Sequence, residues 1–449
     1  MGLSRKLAQY ITNVTYESLP DEVVAFTKLC ILDYFGSAIA GVDKPPIQKI
    51  DQMVKELGGK EQATLMTGGK SSVVHAALVN GASSHMVELD DIHKSSIIHA
   101  ATVVIPAALA VTEWKELTGK DLITSIVVGY EVCYRIGEAV SPSHYYYWHN
   151  TATCGTFGAA VAASKLLKLS EEQIIYALGS AGTQAAGLWE FIEDGAMSKQ
   201  LHPGKAAMNG IFSALLSKKN FTGAEQILEG RRGFFQAMSD EYDENKITFQ
   251  LGETFKIMEN SFKIHASCRH THHVMDILVL LLKEESLQSA DIKKVTVKTY
   301  QVAIDITDNP DPSSIYAAKF SIQFCTALAL LTGNGNLENF NEETLWDKDI
   351  RALMRRIYVH KDEAIHATYP EKWGAAVEIM LQNGETITRE TDYPKGDPEN
   401  PVTEQELVNK FIHLTSALSN AQQQQIIEGI KQLETLSSVT HLMEYRTTT

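Results

Sequence analysis

Apolar residues recur at helical spacing along most of this chain, and up to about residue 265 the pattern is helical almost throughout. Pro20-Asp21-Glu22 opens one such segment, with Val24, Leu29, Ile31 and Tyr34 on its apolar face and Gly41 near its end. Ser170-Glu171-Glu172-Gln173 is a capping box that starts another. Residues 151–163 and 177–188 are rich in Ala and Gly. Small side chains let helices approach closely, which predicts helices buried in a multi-helix core.

The period changes after about residue 265. Lys294-Val295-Thr296-Val297-Lys298-Thr299 alternates with period two and predicts a strand. Residues 376–381 and 385–389 flank Asn383-Gly384 and predict a hairpin. Residues 356–360 read as a further strand and residues 321–331 as a helix. A Pro- and Gly-containing loop, residues 393–398, precedes Thr403-Glu404-Gln405-Glu406, a second capping box that opens a last helical segment. The expected fold is mainly α. A large all-α domain takes residues 1–265 plus 396–449, and a smaller α+β domain is inserted at 266–395.

A length of 449 residues is enough for two cores. The formal charge of −15 argues against a nucleic-acid partner, because phosphate binding needs a basic surface. An acidic protein that binds an anion must concentrate its cations locally. The start of the chain lacks the apolar core of a signal peptide, and the apolar run at about 100–112 contains Pro106 and is too short to cross a bilayer. These features predict a soluble cytoplasmic protein without membrane contact. Cys30, Cys133, Cys154, Cys268 and Cys325 are odd in number and form no CxxC, which speaks against disulfides and against a Cys-ligated iron–sulfur cluster.

Four clusters carry candidate chemistry, each with an ordinary alternative. Glu88-Leu89-Asp90-Asp91-Ile92-His93-Lys94, followed by His99, supplies acid/base groups and carboxylates able to fix an imidazole tautomer; the alternative is a polar loop. In Tyr145-Tyr146-Tyr147-Trp148-His149-Asn150-Thr151, His149 stands just before helix N-terminal amides that attract a carboxylate; the alternative is an aromatic staple. Lys199-Gln200-Leu201-His202-Pro203-Gly204-Lys205 reads as a carboxylate-binding bend or a solvated basic turn. The fourth, around Lys263, places His265, Cys268, Arg269, His270, His272 and His273 close together. Its spacing is poor for zinc, with no HExxH, and anion binding by Lys263 and Arg269 is the preferred reading. Neither a phosphate-cradling glycine loop nor a GxSxG elbow occurs, so a nucleotide cofactor and serine hydrolysis are disfavoured.

In this order the clusters resemble the MmgE/PrpD family over nearly the whole chain. The most specific parts are Leu89-Asp90-Asp91-x-His93 with His99, the run from His149 through Thr151-Ala152-Thr153-Cys154-Gly155, Lys199-x-Leu201-His202-Pro203-Gly204-Lys205, and Lys263 followed by Cys268-Arg269-His270. The family includes 2-methylcitrate dehydratase, cis-aconitate decarboxylase and iminodisuccinate epimerase. The resemblance implies an all-α domain from both chain ends, an inserted α/β lid, a homodimer, and no metal or organic cofactor. It implies a pocket holding Glu88, Asp90, His99, His149, Lys199 and Lys263. Decarboxylases of the family carry a tyrosine and a histidine where this chain has Phe324 and Ser267 or Cys268.

The expected reaction is removal of a proton next to a carboxylate of a small di- or tricarboxylate, with dehydration favoured over epimerisation and decarboxylation. In this reading Lys199, Lys263 and Arg269 bind carboxylates. His149 or His99 is the base, and the other, or Tyr145, is the acid. Asp90 or Asp91 orients a histidine, and Glu88, His93, His202, Cys268 and His270 line the site. A non-catalytic helical interaction protein and a zinc enzyme are the rivals from other classes.

Overall fold

The computed structural model describes residues 2–285 and 287–443, apart from the side chain of Asp194. The chain divides into two compact units, residues 1–260 with 403–449, and residues 261–402. The sequence-based boundaries, 265 and 395, lie a few residues away, and residues 444–449 of the expected first domain fall outside the described residues. The helices used below are α1 (Asp21–Gly41), α2 (Val73–His85), α3 (Ala101–Trp114), α4 (Gly119–Val140), α5 (Asn150–Leu166), α6 (Glu171–Gly182), α7 (Ser198–Ser217), α8 (His272–Glu284), α9 (Ile322–Thr332) and α10 (Glu404–Leu414). The strands are β1 (Ile292–Thr299), β2 (Ile357–Lys361), β3 (Ala375–Leu381) and β4 (Thr386–Thr391).

The first unit is helix packed on helix. Helix α7 lies against α2, α5 and α6, and α5 in turn packs on α3 and α4. Small residues make this possible, as the Ala/Gly-rich sequence predicts. A Cβ on Gly204 of α7 would stand 2.1 Å from the carbonyl oxygen of Leu78 in α2, so the backbones touch at a spacing no larger residue permits. This crossing holds the C-terminal end of α2 beside the first turns of α7. The second Ala/Gly stretch is helical only as far as Gly182; residues 183–188 leave the helix. There the carbonyl of Gly187 takes the amide of His149 at 2.9 Å.

Helix α1 begins and ends where the sequence pattern places it, and it is a longer apolar element than the run at about 100–112. An 18-residue stretch of its 21 residues has a mean hydropathy of 1.5, enough by length and composition to cross a membrane. Most of it is buried, packed on α2, α3 and α4 and covered by α10, so that apolar length serves as a core helix. Lys410 of α10 donates to Asp33 of α1 at 2.6 Å and to the carbonyl of Leu89 at 2.6 Å.

The second unit is an α/β layer. Its sheet runs in the order β2-β1-β3-β4. β1 is parallel to β2, with Val297 opposite Val359, and antiparallel to β3, with Val297 opposite Val377. β3 and β4 form the expected hairpin, with Gly384 at φ 90° in its turn. Helices α8 and α9 pack on each other, α8 against β3 and β4 and α9 against β2. Ser321 caps α9 by accepting from the amide of Phe324 at 3.0 Å.

Candidate active site

One helix end and three helix starts meet at a buried imidazole cluster in the first unit. His85 is the last residue of α2. The chain turns back through Glu88, whose φ of 61° is left-handed and rare for a residue with a side chain. That turn brings Asp90 under His85, with His85 Nδ1 2.8 Å from Asp90 Oδ2. His99, just before α3, places its own Nδ1 2.9 Å from the same oxygen and 2.6 Å from the carbonyl oxygen of Asp91. His149 stands at the N-cap of α5, and its Nδ1 lies 3.1 Å from Nδ1 of His202 in α7. The ring of His85 sits between the others, 4.9 Å from His99 and 5.7 Å from His149 between centroids. Lys199, one turn before His202, donates to Glu88 in an ion pair whose side chains are almost fully buried.

The protonation states follow from these contacts. Two carboxylate-directed imidazoles outweigh the burial that opposes its charge, and Asp90 is held well below the usual carboxylate range. A carbonyl oxygen only accepts, so Nδ1 of His99 carries the hydrogen, and in the neutral ring the lone pair is on Nε2. Burial, then the charges of His202, His85, Lys199 and His99, push His149 well below its ordinary value. Burial, then His85, Lys205 and Lys199, take His202 down to about 4. The cluster therefore sets the Asp90 carboxylate among four imidazoles, of which burial holds His149 and His202 neutral at neutral pH, a set able to take and return protons. Aromatic rings shield it: Trp189 lies 5.1 Å from His149, Phe191 lies 5.5 Å from His202, and half-buried Tyr145 stands edge-on to Trp189 at 5.0 Å.

Other candidates lie elsewhere. Asp91 is fully buried, and both its oxygens serve the fold. Oδ1 accepts from the amide of Ala101 at 3.1 Å, capping α3; Oδ2 accepts from Tyr130 at 2.8 Å and Asn260 at 2.9 Å. Burial raises its pKa to about 8. His93 turns away from Asp90, stacks on Tyr134 at 4.2 Å and meets Glu259 at 3.2 Å. In the second unit, Arg269 donates to the buried carboxylate of Asp397 and to the carbonyl of Lys395 at 3.1 Å, so its charge is matched internally. His270 is a core residue, stacked on Trp373 at 4.5 Å with Nδ1 2.6 Å from the hydroxyl of Tyr300. Cys268 is buried, its amide donating to the carbonyl of Lys319 at 2.8 Å. Lys263 is also buried in that unit.

Two groups have metal-ligating atoms close together, His85, Asp90 and His99, and His93, Glu138 and Glu259. In the first, the Nδ1 proton of His99 that the Asp91 carbonyl holds occupies the nitrogen a metal would need. In the second, the ammonium of Lys256 already bridges both carboxylates, at 2.9 Å from Glu138 and 3.0 Å from Glu259. His85 is the functional candidate that sequence reasoning missed. Its only local signal is a histidine five residues before Asp90.

The fold and the site define a mainly α protein with an α/β unit and a buried imidazole–carboxylate centre. Residues 5–246 match the MmgE/PrpD N-terminal domain and residues 265–435 the MmgE/PrpD C-terminal domain; the chain belongs to the MmgE/PrpD family. It is 26% identical over 469 residues to a cis-aconitate decarboxylase of Aspergillus terreus, covering 99% of this chain and 95% of that one. It is 25% identical over 457 residues to cis-aconitate decarboxylase of Homo sapiens, with 97% and 92% covered. The 2-methylcitrate dehydratase of Escherichia coli is 24% identical over 455 residues, with 94% and 92% covered.

Proposed function

We propose that this protein is a lyase that removes a proton next to a carboxylate of a small di- or tricarboxylate, with His99 as the base. The observation that carries this reading is the pair of acceptors on His99 Nδ1, Asp90 Oδ2 at 2.9 Å and the Asp91 carbonyl at 2.6 Å, which leave the basic lone pair on Nε2. His149, neutral and backed by His202, is the partner acid, with Tyr145 the alternative. Lys199 neutralises a substrate carboxylate, so that charge developing on it in the transition state is stabilised. Lys263 enters this reading through its motif alone. Acting as a cytoplasmic homodimer that uses side chains only is part of the same proposal.

The favoured reaction is dehydration. The C–H bond breaks towards the imidazole, its electron pair forms the C=C bond, and the β-hydroxyl leaves as water with a proton from the acid. Phe324, which the resemblance sets where decarboxylases carry a tyrosine, supports this choice: it packs against Phe340 at 6.0 Å and has no hydroxyl to donate. Decarboxylation is the second reading, favoured by the alignment with the Aspergillus terreus decarboxylase along 99% of the chain.

Proton NMR in deuterated water, with citrate, 2-methylcitrate, cis-aconitate and aspartate-derived dicarboxylates, tests the reading. Deuterium is expected at a carbon next to a carboxylate. His99→Asn is expected to slow that exchange by roughly 10²–10⁴-fold while the circular dichroism is unchanged. Release of carbon dioxide in place of water selects the second reading. No exchange and no thermal stabilisation by any acid would sink both in favour of a non-catalytic protein.

A further inference from the structure

We propose that His85 is a positioning residue of this site: with His99 it clamps one oxygen of Asp90 between two Nδ1–H donors, dividing the carboxylate's charge between the rings and setting how basic His99 is. The inference rests on the reading of His99 as the base and deepens it.

The geometry is specific. Both Nδ1 atoms address the same oxygen, Oδ2, at 2.8 Å from His85 and 2.9 Å from His99. The other oxygen of Asp90, Oδ1, and the other nitrogen of His85, Nε2, are both buried without a hydrogen-bond partner among the described residues. Leaving two such atoms unpaired is unfavourable, and an apolar residue at position 85 would remove one of them. What a leucine cannot supply is the second donor to Asp90.

The consequence for His99 follows from electrostatics. A carboxylate beside an imidazole favours its protonated form. If Asp90 had His99 as its sole imidazole partner, its full charge would act there and make that ring more basic. Sharing the oxygen with His85 weakens the pull and so lowers the proton affinity of His99. Other groups facing the pair are Asp91, whose carbonyl holds His99 Nδ1, and His149, with His202 and the Lys199–Glu88 pair beyond it. Of these, only His85 contacts the same Asp90 oxygen as His99.

The test needs no substrate, so it stands apart from whether the reaction has been assigned correctly. In full-length protein labelled with ¹⁵N-histidine, long-range proton–nitrogen spectra report which ring nitrogen carries hydrogen. His85 and His99 are both expected as Nδ1–H tautomers. In His85→Phe the titration midpoint of His99 is expected to rise by roughly one pH unit. His85→Asn, which keeps a donor, is expected to return it towards the wild-type value. A midpoint unmoved in His85→Phe overturns the proposal, as does an Nε2–H tautomer at His85. Should the Phe variant fail to fold, the wild-type tautomer and the Asn midpoint decide. A residue that only filled space would alter stability and leave the midpoint where it was.

Discussion

His149 and His202 meet nitrogen to nitrogen, Nδ1 to Nδ1 at 3.1 Å, so one ring donates and the other accepts. The contact holds only while at least one of the two is neutral. His202 falls from 6.5 in the unfolded chain to about 4 in the folded one. Between those values the unfolded chain binds more protons. The associated stability is complete above pH 6.5 and is lost as pH falls towards 4. Burial of His144, taken down to about 4, acts in the same direction. The urea midpoint is expected to drop across that window, and to drop less steeply in His202→Leu. A midpoint flat from pH 7 to 4 would contradict the neutral pair.

The Glu88–Lys199 pair separates a structural from a substrate-binding role. Both side chains are nearly buried, so Lys199→Met removes the ammonium that faces the Glu88 carboxylate and is expected to cost about 3–5 kcal/mol of stability. Adding Glu88→Gln should recover most of that loss. If Lys199 also binds a substrate carboxylate, KM stays raised in the double variant although the fold is restored. Chemical denaturation together with steady-state kinetics reads both. Recovery of KM along with stability would reduce Lys199 to a strut.

Arg269 gives the opposite pattern. Its charge is matched by Asp397 across a buried contact that ties the loop after β4 to the start of α8. Arg269→Met is expected to destabilise the second unit by about 3–5 kcal/mol and to speed proteolytic cleavage near residues 393–402. Arg269→Met with Asp397→Leu should be much closer to wild type. A variant that kept its stability and lost only substrate affinity would restore Arg269 to the substrate.

Period and punctuation in the sequence made the secondary structure legible. The capping boxes at Ser170 and Thr403, the strand ending at Thr299 and the hairpin turn at Gly384 all stand where those signals place them. Direction was not legible. Asp90, Asp91 and His93 are neighbours in sequence, yet Asp90 faces the imidazoles, Asp91 caps α3 and His93 stacks on Tyr134. The left-handed turn at Glu88 that sorts them has no glycine or asparagine to announce it. Arg269 looked available because its partner stands 128 residues further on. His85 was hidden by its surroundings: it ends a run of small residues that reads as helix packing.

The discontinuous first unit has a consequence for synthesis. As the ribosome releases the chain, α1 emerges early with its apolar surface unmet by α10, and the whole second unit is made before that cover exists. Lys410 of α10, which grips both Asp33 of α1 and the carbonyl of Leu89, arrives only with that cover. Contacts so distant along the chain close slowly and leave sticky surface open meanwhile. The nascent chain therefore waits, its first helix half-clothed, for α10 to be made.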